Sequence, residues 1–412
     1  MKSVKTMRSQ YAQMIIDSGV ALKKGACLRI KTGIATYEFA RELATYAYSV
    51  GARYVLIAID DMQLLKSRLL AQDEKDITYI PSYEKALDDQ MIQETWSLIR
   101  IDNTDERDVL LDAPAHRLGA FSKATGAFHK ELKASAMNNE LTWCVVCVPS
   151  LKWAQNVLGE SKSEQDMWHF LAPILHLDQE DPLAAMKHNF ERTEKRAEKI
   201  TALNLRSLHF TSSVTDLRVG LRENHIFTGG GDLLADGSRF YPNIPSEEVF
   251  TTPDYLLTEG YVRTTRPISV MDSRVENAFF RFREGVVVEA HAEIGDQILQ
   301  QYLESDEGAK RLGEIALVDQ SSPIAQANVV FDSILYDENA SCHFALGAGY
   351  PTCLVLDDQQ ADEEELLRNG CNVSQVHTDF MFGSDDLSLT GYDAEGKAYL
   401  IMKDGSFTPD FA

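Results

Sequence analysis

The chain has 412 residues, of which 63 are acidic and 40 are basic, so its formal net charge at pH 7 is −23. This excess of carboxylates disfavours nucleic acid as a partner, because like charges repel. No apolar run approaches the ~20 residues of a membrane-spanning helix, and the N-terminus lacks the apolar core of a signal peptide. We therefore expect a cytoplasmic protein with no membrane partner, and the length favours two domains.

The first half of the chain alternates predicted strands and helices. Apolar runs predict strands at 27–32, 53–59, 96–102 and 141–149, and apolar residues three and four apart predict a helix at 36–50. This alternation is typical of an α/β domain with a parallel sheet. The turn after the first strand, KTGIAT, has one glycine and no dinucleotide fingerprint, so we expect this domain to act as a scaffold.

A long charged helix is predicted to begin at Pro182, with Asp181 as its N-cap. Its charged faces suit a connector, and we place the domain boundary near residue 204. The predicted domains are therefore 1–204 and 205–412.

The second domain has a different pattern of predicted elements. Strands are predicted in SLHFTSS, TDLRVGL and NAFFRFREGVVVEAHAE, the last with a turn at Glu284-Gly285. Helical patterns recur at 294–305, 307–313 and 339–346. We therefore predict an α+β domain with a mixed or antiparallel sheet.

Side chains that commonly bind metal ions are scattered over this second domain. They are Glu247, Glu248, Glu314, His343, Tyr350, His377 and Asp379. Carboxylates and neutral imidazoles are typical ligands of zinc, cobalt or manganese in open, hydrolytic sites. Because the segments are far apart in sequence, only the fold would gather them. The set is therefore a hypothesis about a site, whose chemistry would be metal-assisted hydrolysis.

Two of these segments carry the clearer arguments. Glu314 lies in the apolar run LGEIALV, where a lone carboxylate is costly unless it pairs with an arginine or binds a metal. His377 and Asp379 are two residues apart on a predicted strand, so they share one face. His343 alone is more typical of a core histidine, and Tyr350 is a hydrogen-bond donor suited to an oxyanion.

Glu247 and Glu248 are adjacent in IPSEEVFTTPD, and such pairs are common on protein surfaces. The functional interpretation divides their roles. Glu248 binds a metal, whereas Glu247 stays free as the general base that takes a proton from water.

Several motifs follow one another in the order TDLRVGL, GGGD, NIPSEEVFTTPD, LGEIALV, DENASCHFALGAGYP and VHTDFMFGS. In this order and with these gaps they resemble the aminopeptidase T and aminopeptidase S (PepS) family of two-metal metallo-aminopeptidases. The resemblance covers the whole chain. It implies a Rossmann-like first domain, an α+β second domain that carries the metal site, and a homodimer.

The resemblance also implies which residues bind the metals. These are Glu248, Glu314, His343, Tyr350, His377 and Asp379. It further implies two divalent ions, and peptides with a free N-terminus as substrates. Two positions depart from the family pattern, Thr252 in TTP where TAP is expected and Pro242 where alanine is frequent, and neither is an expected ligand.

These observations together predict a cytoplasmic metallo-aminopeptidase (EC 3.4.11 type) that activates water with two metal ions. Glu314 or another carboxylate would bridge the ions, Glu247 would act as general base, and Tyr350 would lie at the metals or stabilise the oxyanion. One alternative is another metal-dependent hydrolase or lyase that acts on a small amide or carboxylate. A second alternative is a non-catalytic binding protein whose metal holds the fold.

Overall fold

The computed structural model describes residues 2–110, 112–271, 273–356 and 361–412. The chain forms two compact units, one of Met1–Met186 with Gly231–Pro245 and the other of Lys187–Gly230 with Ser246–Ala412. The second unit thus begins inside the long charged helix, ahead of residue 204. The domain limits 1–204 and 205–412 stay a prediction.

The α-helices are named in chain order. They are α1 (Val4–Met14), α2 (Tyr37–Ser49), α3 (Met62–Ala71), α4 (Glu74–Ile77), α5 (Ser82–Gln93), α6 (Ala115–Phe128), α7 (Lys130–Met137), α8 (Leu151–Leu158), α9 (Glu164–Leu171), α10 (Pro182–Thr201), α11 (Asp296–Leu303), α12 (Pro323–Ala327), α13 (Ile334–Asp337) and α14 (Glu363–Arg368). A π-helical turn, Ile15–Gly19, follows α1, and 3₁₀ turns occupy Thr104–Leu110, Gly308–Lys310, Glu338–Ala340 and Pro351–Cys353. Within the described part of the chain, no helix combines the length and the hydropathy needed to cross a membrane.

The strands are numbered in the same way. They are β1 (Cys27–Thr32), β2 (Tyr54–Ile59), β3 (Ser97–Ile101), β4 (Trp143–Val146), β5 (Ser207–Thr211), β6 (Asp216–Gly220), β7 (Asp232–Leu233), β8 (Arg239–Phe240), β9 (Asn243–Ile244), β10 (Glu248–Thr251), β11 (Thr258–Arg263), β12 (Ile268–Val270), β13 (Ser273–Val275), β14 (Phe279–Arg283), β15 (Val286–His291), β16 (Leu312–Val318), β17 (His343–Gly347), β18 (His377–Met381), β19 (Ser388–Tyr392), β20 (Ala398–Lys403) and β21 (Ser406–Phe407).

The first unit is built on a parallel sheet with strand order β2-β1-β3-β4-β9. Every neighbouring pair in this sheet is parallel. The α/β prediction is therefore confirmed, and the four predicted strands and the helix at 36–50 all occur within three residues of their expected limits. The fifth strand, β9, comes from the segment Gly231–Pro245.

The second unit contains two larger antiparallel sheets, which confirms the α+β prediction. Eight strands have the order β15-β14-β11-β6-β5-β19-β20-β21, and four have the order β10-β16-β17-β18. The predicted turn between β14 and β15 is present, and Glu284 and Gly285 both have positive φ angles, of 50° and 74°. Glycine adopts this backbone conformation without steric cost, which suits it to the tight turn.

The hydrophobic core of the second unit covers one face of the four-stranded sheet. Its residues on that face include Val249, Ile315, Leu317, Phe344, Leu346 and Phe380, all fully buried. Phe344 stacks on Phe380 at 5.4 Å between ring centroids, and Phe280 of β14 packs edge-on against both rings. The eight-stranded sheet therefore contributes to the same core.

Two helix predictions in the second unit are wrong in whole or in part. The pattern at 339–346 is a short 3₁₀ turn followed by β17, because Phe344 and Leu346 face the core while His343 and Ala345 face the other side. That alternation has the period of a strand. Of 307–313, only Gly308–Lys310 is helical, and β16 begins at Leu312.

Candidate metal centre

Five of the predicted ligands lie on the four-stranded sheet. Glu248 begins β10, Glu314 lies in β16, His343 begins β17, and His377 and Asp379 lie in β18. The strand pairing places all five on the face opposite the hydrophobic core. Four strands far apart in sequence thereby present their polar side chains to one side of one sheet.

The register of the central strands shows how these residues are brought together. Ala345 pairs with Glu314 on one side and with Asp379 on the other, while Gly347 pairs with His377. His343 lies on the same face as Ala345 because the two are two residues apart. The small side chain of Ala345 leaves space between the two carboxylates that flank it.

Glu248 reaches this face through the next pair of strands. Glu248 pairs with Val318, and Phe250 pairs with Ala316, which in turn pairs with His343. Alternation along β16 puts Val318, Ala316 and Glu314 on one side of the sheet. Glu248 lies on that side as well, because paired residues face the same way.

The ligand atoms form two groups that share one residue. Glu248, Glu314 and His343 form one group and Glu314, His377 and Asp379 the other, with the potential ligand atoms of each group within 4.8 Å of one another. Nε2 of His343 lies 3.4 Å from Oε2 of Glu248, and Nε2 of His377 lies 3.2 Å from Oε2 of Glu314.

Backbone carbonyls orient both imidazole rings. Nδ1 of His343 lies 3.2 Å from the carbonyl oxygen of Ser341, and Nδ1 of His377 lies 2.7 Å from that of Ala348. Because a carbonyl only accepts hydrogen bonds, each Nδ1 carries the proton. When such a ring is neutral, its Nε2 carries the lone pair that can bind a metal, and this orientation is usual for metal-binding histidines.

The electrostatics of the cluster are those of a site suited to a cation. Burial, followed by the neighbouring Glu314 and Asp379, raises the pKa of Glu248 to about 8. Burial lowers the pKa of His343, but Glu248 and other carboxylates outweigh it and raise that pKa above its ordinary value. Oδ1 of Asp379 is buried without a hydrogen-bond partner, although Nε2 of His377 lies 3.4 Å away. A cation fits such a site, because it offsets the cost of burying several carboxylates.

Glu338 is a further carboxylate of this cluster, and the sequence interpretation missed it. It is half-buried in the 3₁₀ turn Glu338–Ala340. Burial, then Glu248, Asp379 and Glu314, raise its pKa well above the ordinary value, so it lies within electrostatic reach of all three. It lies five residues before His343 in the motif DENASCHFALGAGYP, but no local pattern distinguished its carboxylate from those of a solvated surface.

The structure places Glu247 apart from the other candidates. It precedes β10 by one residue, and its carboxylate contacts α10, with Nδ2 of Asn189 at 3.3 Å and a guanidinium nitrogen of Arg192 at 3.5 Å. Neighbouring residues of an extended chain point to opposite sides, which explains why Glu247 and Glu248 diverge. Burial raises the pKa of Glu247 to about 7. Its role as general base stays a prediction.

Tyr350 lies at the edge of the cluster. Its hydroxyl is 3.5 Å from Nε2 of His377, and its ring contacts the His377 ring at 5.1 Å between centroids. Burial, followed by Glu314 and the other carboxylates, raises the pKa of Tyr350 well above its ordinary value. The phenol is therefore neutral and able to donate a hydrogen bond.

The donor set is suited to divalent cations. Carboxylate oxygens and imidazole nitrogens together match zinc, cobalt or manganese, and thiolates, which select softer metals, are not among these donors. The sharing of Glu314 between two groups is the arrangement expected of a bridging carboxylate.

Comparison with known proteins gives matches along nearly the whole chain. Residues 4–407 match the family described as "Thermophilic metalloprotease (M29)". Aminopeptidase PepS of Streptococcus thermophilus is 31% identical over 402 residues, which are 97% of each protein. Aminopeptidase T of Thermus thermophilus is 32% identical over 408 residues, covering 98% of this chain and 99% of the relative. The solved structure of wild-type AmpT from Thermus thermophilus superposes with a TM-score of 0.91 at 30% identity, covering 98% of this chain and 100% of that one.

Proposed function

The chain belongs to the M29 family of thermophilic metalloproteases, and we propose that it is a metallo-aminopeptidase that releases N-terminal amino acids from peptides. The observation that carries this proposal is the single sheet face on which Glu248, Glu314, His343, His377 and Asp379 converge. Full-length similarity to proteins named as aminopeptidases supports the choice of peptide substrates.

Two divalent ions, of zinc, cobalt or manganese, are the proposed cofactors. Glu248, Glu314 and His343 would hold one, and Glu314, His377 and Asp379 the other, with Glu314 shared. Tyr350 and Glu338 would complete the surroundings of the two ions. When bound, the ions would supply Lewis acidity that polarises the scissile carbonyl and lowers the pKa of water.

The protein's own side chains would handle the protons. As water attacks the carbonyl carbon, a carboxylate accepts its proton, and the same proton then passes to the amine that leaves when the C–N bond breaks. Glu247 is the proposed base, and its raised pKa of about 7 suits proton transfer near neutral pH. The neutral phenol of Tyr350 would donate a hydrogen bond to the oxyanion.

Recognition of the substrate's free N-terminus would depend on negative charge. An α-ammonium group is drawn to a chain with a net charge of −23 and is held by charge-assisted hydrogen bonds to carboxylates of the site. The proposal includes the homodimer and the cytoplasmic location that the family resemblance and the composition led us to expect.

A panel of aminoacyl anilides, each with a free and an acetylated amine, tests the proposal. We expect hydrolysis of the free amines only, loss of this activity with a chelator and recovery when metal is added back. Equal rates on the acetylated compounds would instead favour another metal-dependent hydrolase of small amides or carboxylates.

A further inference from the structure

A single buried hydroxyl holds the backbone of Tyr350. The N–H of Tyr350 donates to Oγ1 of Thr252 at 2.8 Å, and that hydroxyl donates to the carbonyl oxygen of Tyr350 at 2.9 Å. Thr252 is 1% exposed and directly follows β10. One side chain therefore hydrogen-bonds to both backbone polar groups of Tyr350, and it is the partner of the N–H, whereas the carbonyl oxygen also accepts from the N–H of Cys353 at 3.0 Å.

The segment that leads from β17 to Tyr350 has no regular structure of its own. The N–H of Ala348 donates to Val376 and that of Gly349 to Asn372, both at 2.8 Å. At Tyr350 the corresponding partner is the side chain of Thr252 instead of a backbone carbonyl. The carbonyl of Ala348 also orients His377, so this short segment supports two residues of the candidate site.

Phe250 adds a second contact from the same strand. Its ring packs against the ring of Tyr350, with centroids 5.5 Å apart and planes at 62°. Phe250 and Thr252 are two residues apart, so both side chains point to the same side. The end of β10 thus contacts Tyr350 at its backbone and at its ring, and Tyr350 in turn contacts His377.

We propose that Thr252 is a positioning residue that holds the phenol of Tyr350 in place for the reaction. This inference rests on the proposed function, in which Tyr350 faces the reacting carbonyl. Removing the hydroxyl leaves the N–H of Tyr350 without its partner, whereas the carbonyl oxygen keeps the N–H of Cys353 at 3.0 Å, so the segment must move to satisfy the N–H. A displacement of ~1 Å at a reacting group is enough to reduce turnover by ~10²-fold.

The test compares Thr252→Val, which keeps the shape without the hydroxyl, with Thr252→Ser, which keeps the hydroxyl. Thr251→Val is the matched control, because Thr251 is equally buried and its hydroxyl donates to the carbonyl of Ile226 at 2.7 Å. We expect Thr252→Val to lower kcat by ~10-fold or more with KM changed less than ~3-fold. Thr252→Ser and Thr251→Val should retain the wild-type kcat, and all three variants should retain their metal content. If Thr252→Val does not fold, Thr252→Ala takes its place.

A double-mutant cycle with Tyr350→Phe shows whether Thr252 acts through the phenol. If it does, adding Thr252→Val to Tyr350→Phe should cost no more than ~2-fold in kcat. An equal loss in both backgrounds, or a wild-type kcat in Thr252→Val, overturns the proposal.

Amide hydrogen exchange separates this inference from the proposed function. Exchange in the peptide that covers 348–350 should be faster in Thr252→Val and unchanged in Thr251→Val, whether or not a substrate is found. Unchanged exchange in Thr252→Val overturns the positioning role, whereas a wild-type protein inactive on every free-amine anilide contradicts the aminopeptidase proposal alone.

Discussion

Leu312 and Glu314 are two residues apart in β16, yet their side chains face opposite sides of the sheet. Leu312 pairs with Leu346 on the core side, and Glu314 pairs with Ala345 on the side of the candidate site. The register shift between them places Gly313 as an extra residue, and such a bulge re-aims the side chains on either side of it. This single bulge lets an apolar strand contribute the carboxylate that the two groups of candidate ligands share.

Replacing Gly313 by alanine should damage the site. A Cβ at this position would lie 2.2 Å from the carbonyl oxygen of Ala348 and 2.4 Å from that of Gly347, so the backbone must move. We expect lower metal content, a turnover reduced by at least ~10-fold and a loss of ~1–3 kcal/mol in the free energy of unfolding. Gly119→Ala is the control, because no atom lies within 4 Å of its Cβ and alanine favours the helix α6. Wild-type metal content in Gly313→Ala would show that the bulge tolerates a side chain.

The sequence carried local signals for part of this site. A lone carboxylate in LGEIALV indicated that Glu314 needed a partner, and the spacing of His377 and Asp379 indicated a shared face. The bulge at Gly313 was not predictable from these residues, because it depends on how β16 pairs with β17. His343 was assigned to a helix because the local pattern at 339–346 favours one. In the structure the segment from His343 is a strand, because Phe344 and Leu346 alternate into the core.

The least predictable features were those set by tertiary packing. Adjacency suggested that Glu247 and Glu248 would meet at one site, but the extended backbone turns Glu247 toward α10. Glu338 lies in a turn whose position follows from the strand after it, so no local pattern identified its carboxylate. The parallel sheet of the first unit was easier to predict, because buried parallel strands have continuous apolar sequences.

Metal removal should abolish hydrolysis and leave most of the fold intact. The core of the second unit lies on the opposite face of the sheet from the candidate ligands, so its packing does not depend on an ion. Metal content, circular dichroism and the rate of peptide hydrolysis are measured before chelation, after chelation and after metal is added back. Full activity without metal would refute a metalloenzyme, whereas cooperative loss of the fold would favour a structural metal in a binding protein.

The stability of the chelated protein should fall as pH rises. The pKa of Glu248 is raised from an ordinary 4.5 to about 8 in the folded protein. Between these values the folded state keeps a proton that the unfolded chain has lost, so the free energy of unfolding decreases by up to ~1.4 kcal/mol per pH unit. Urea unfolding from about pH 5 to about pH 8 measures this slope.

Glu248→Gln is the control for this pH dependence, because its amide stays neutral and the slope should become shallower. Added metal should make the free energy of unfolding increase with pH, because ions require deprotonated carboxylates and bind more tightly as pH rises. An unchanged slope in Glu248→Gln would mean that other groups dominate the titration.

The general base is tested by two glutamine substitutions made in parallel. Glu247→Gln keeps the hydrogen bond from Asn189 but cannot accept a proton from water, and its side chain contacts α10 rather than the metal groups. We expect full metal content with a loss of at least ~10²-fold in kcat. Glu338→Gln, which removes a negative charge near Glu248, Asp379 and Glu314, should weaken metal binding.

Asp337→Asn is the matched control for both substitutions. Its carboxylate accepts from the N–H groups of Phe331 and Ser333 at 2.8 and 3.1 Å, so its loss should lower stability without changing the kcat of the folded enzyme. The pair of glutamine variants then decides between the two carboxylates. Near-normal turnover in Glu247→Gln, together with a metal-replete but inactive Glu338→Gln, would transfer the base role to Glu338. That carboxylate lies within electrostatic reach of Glu248, Glu314 and Asp379, so water activated there would lose its proton without involving α10.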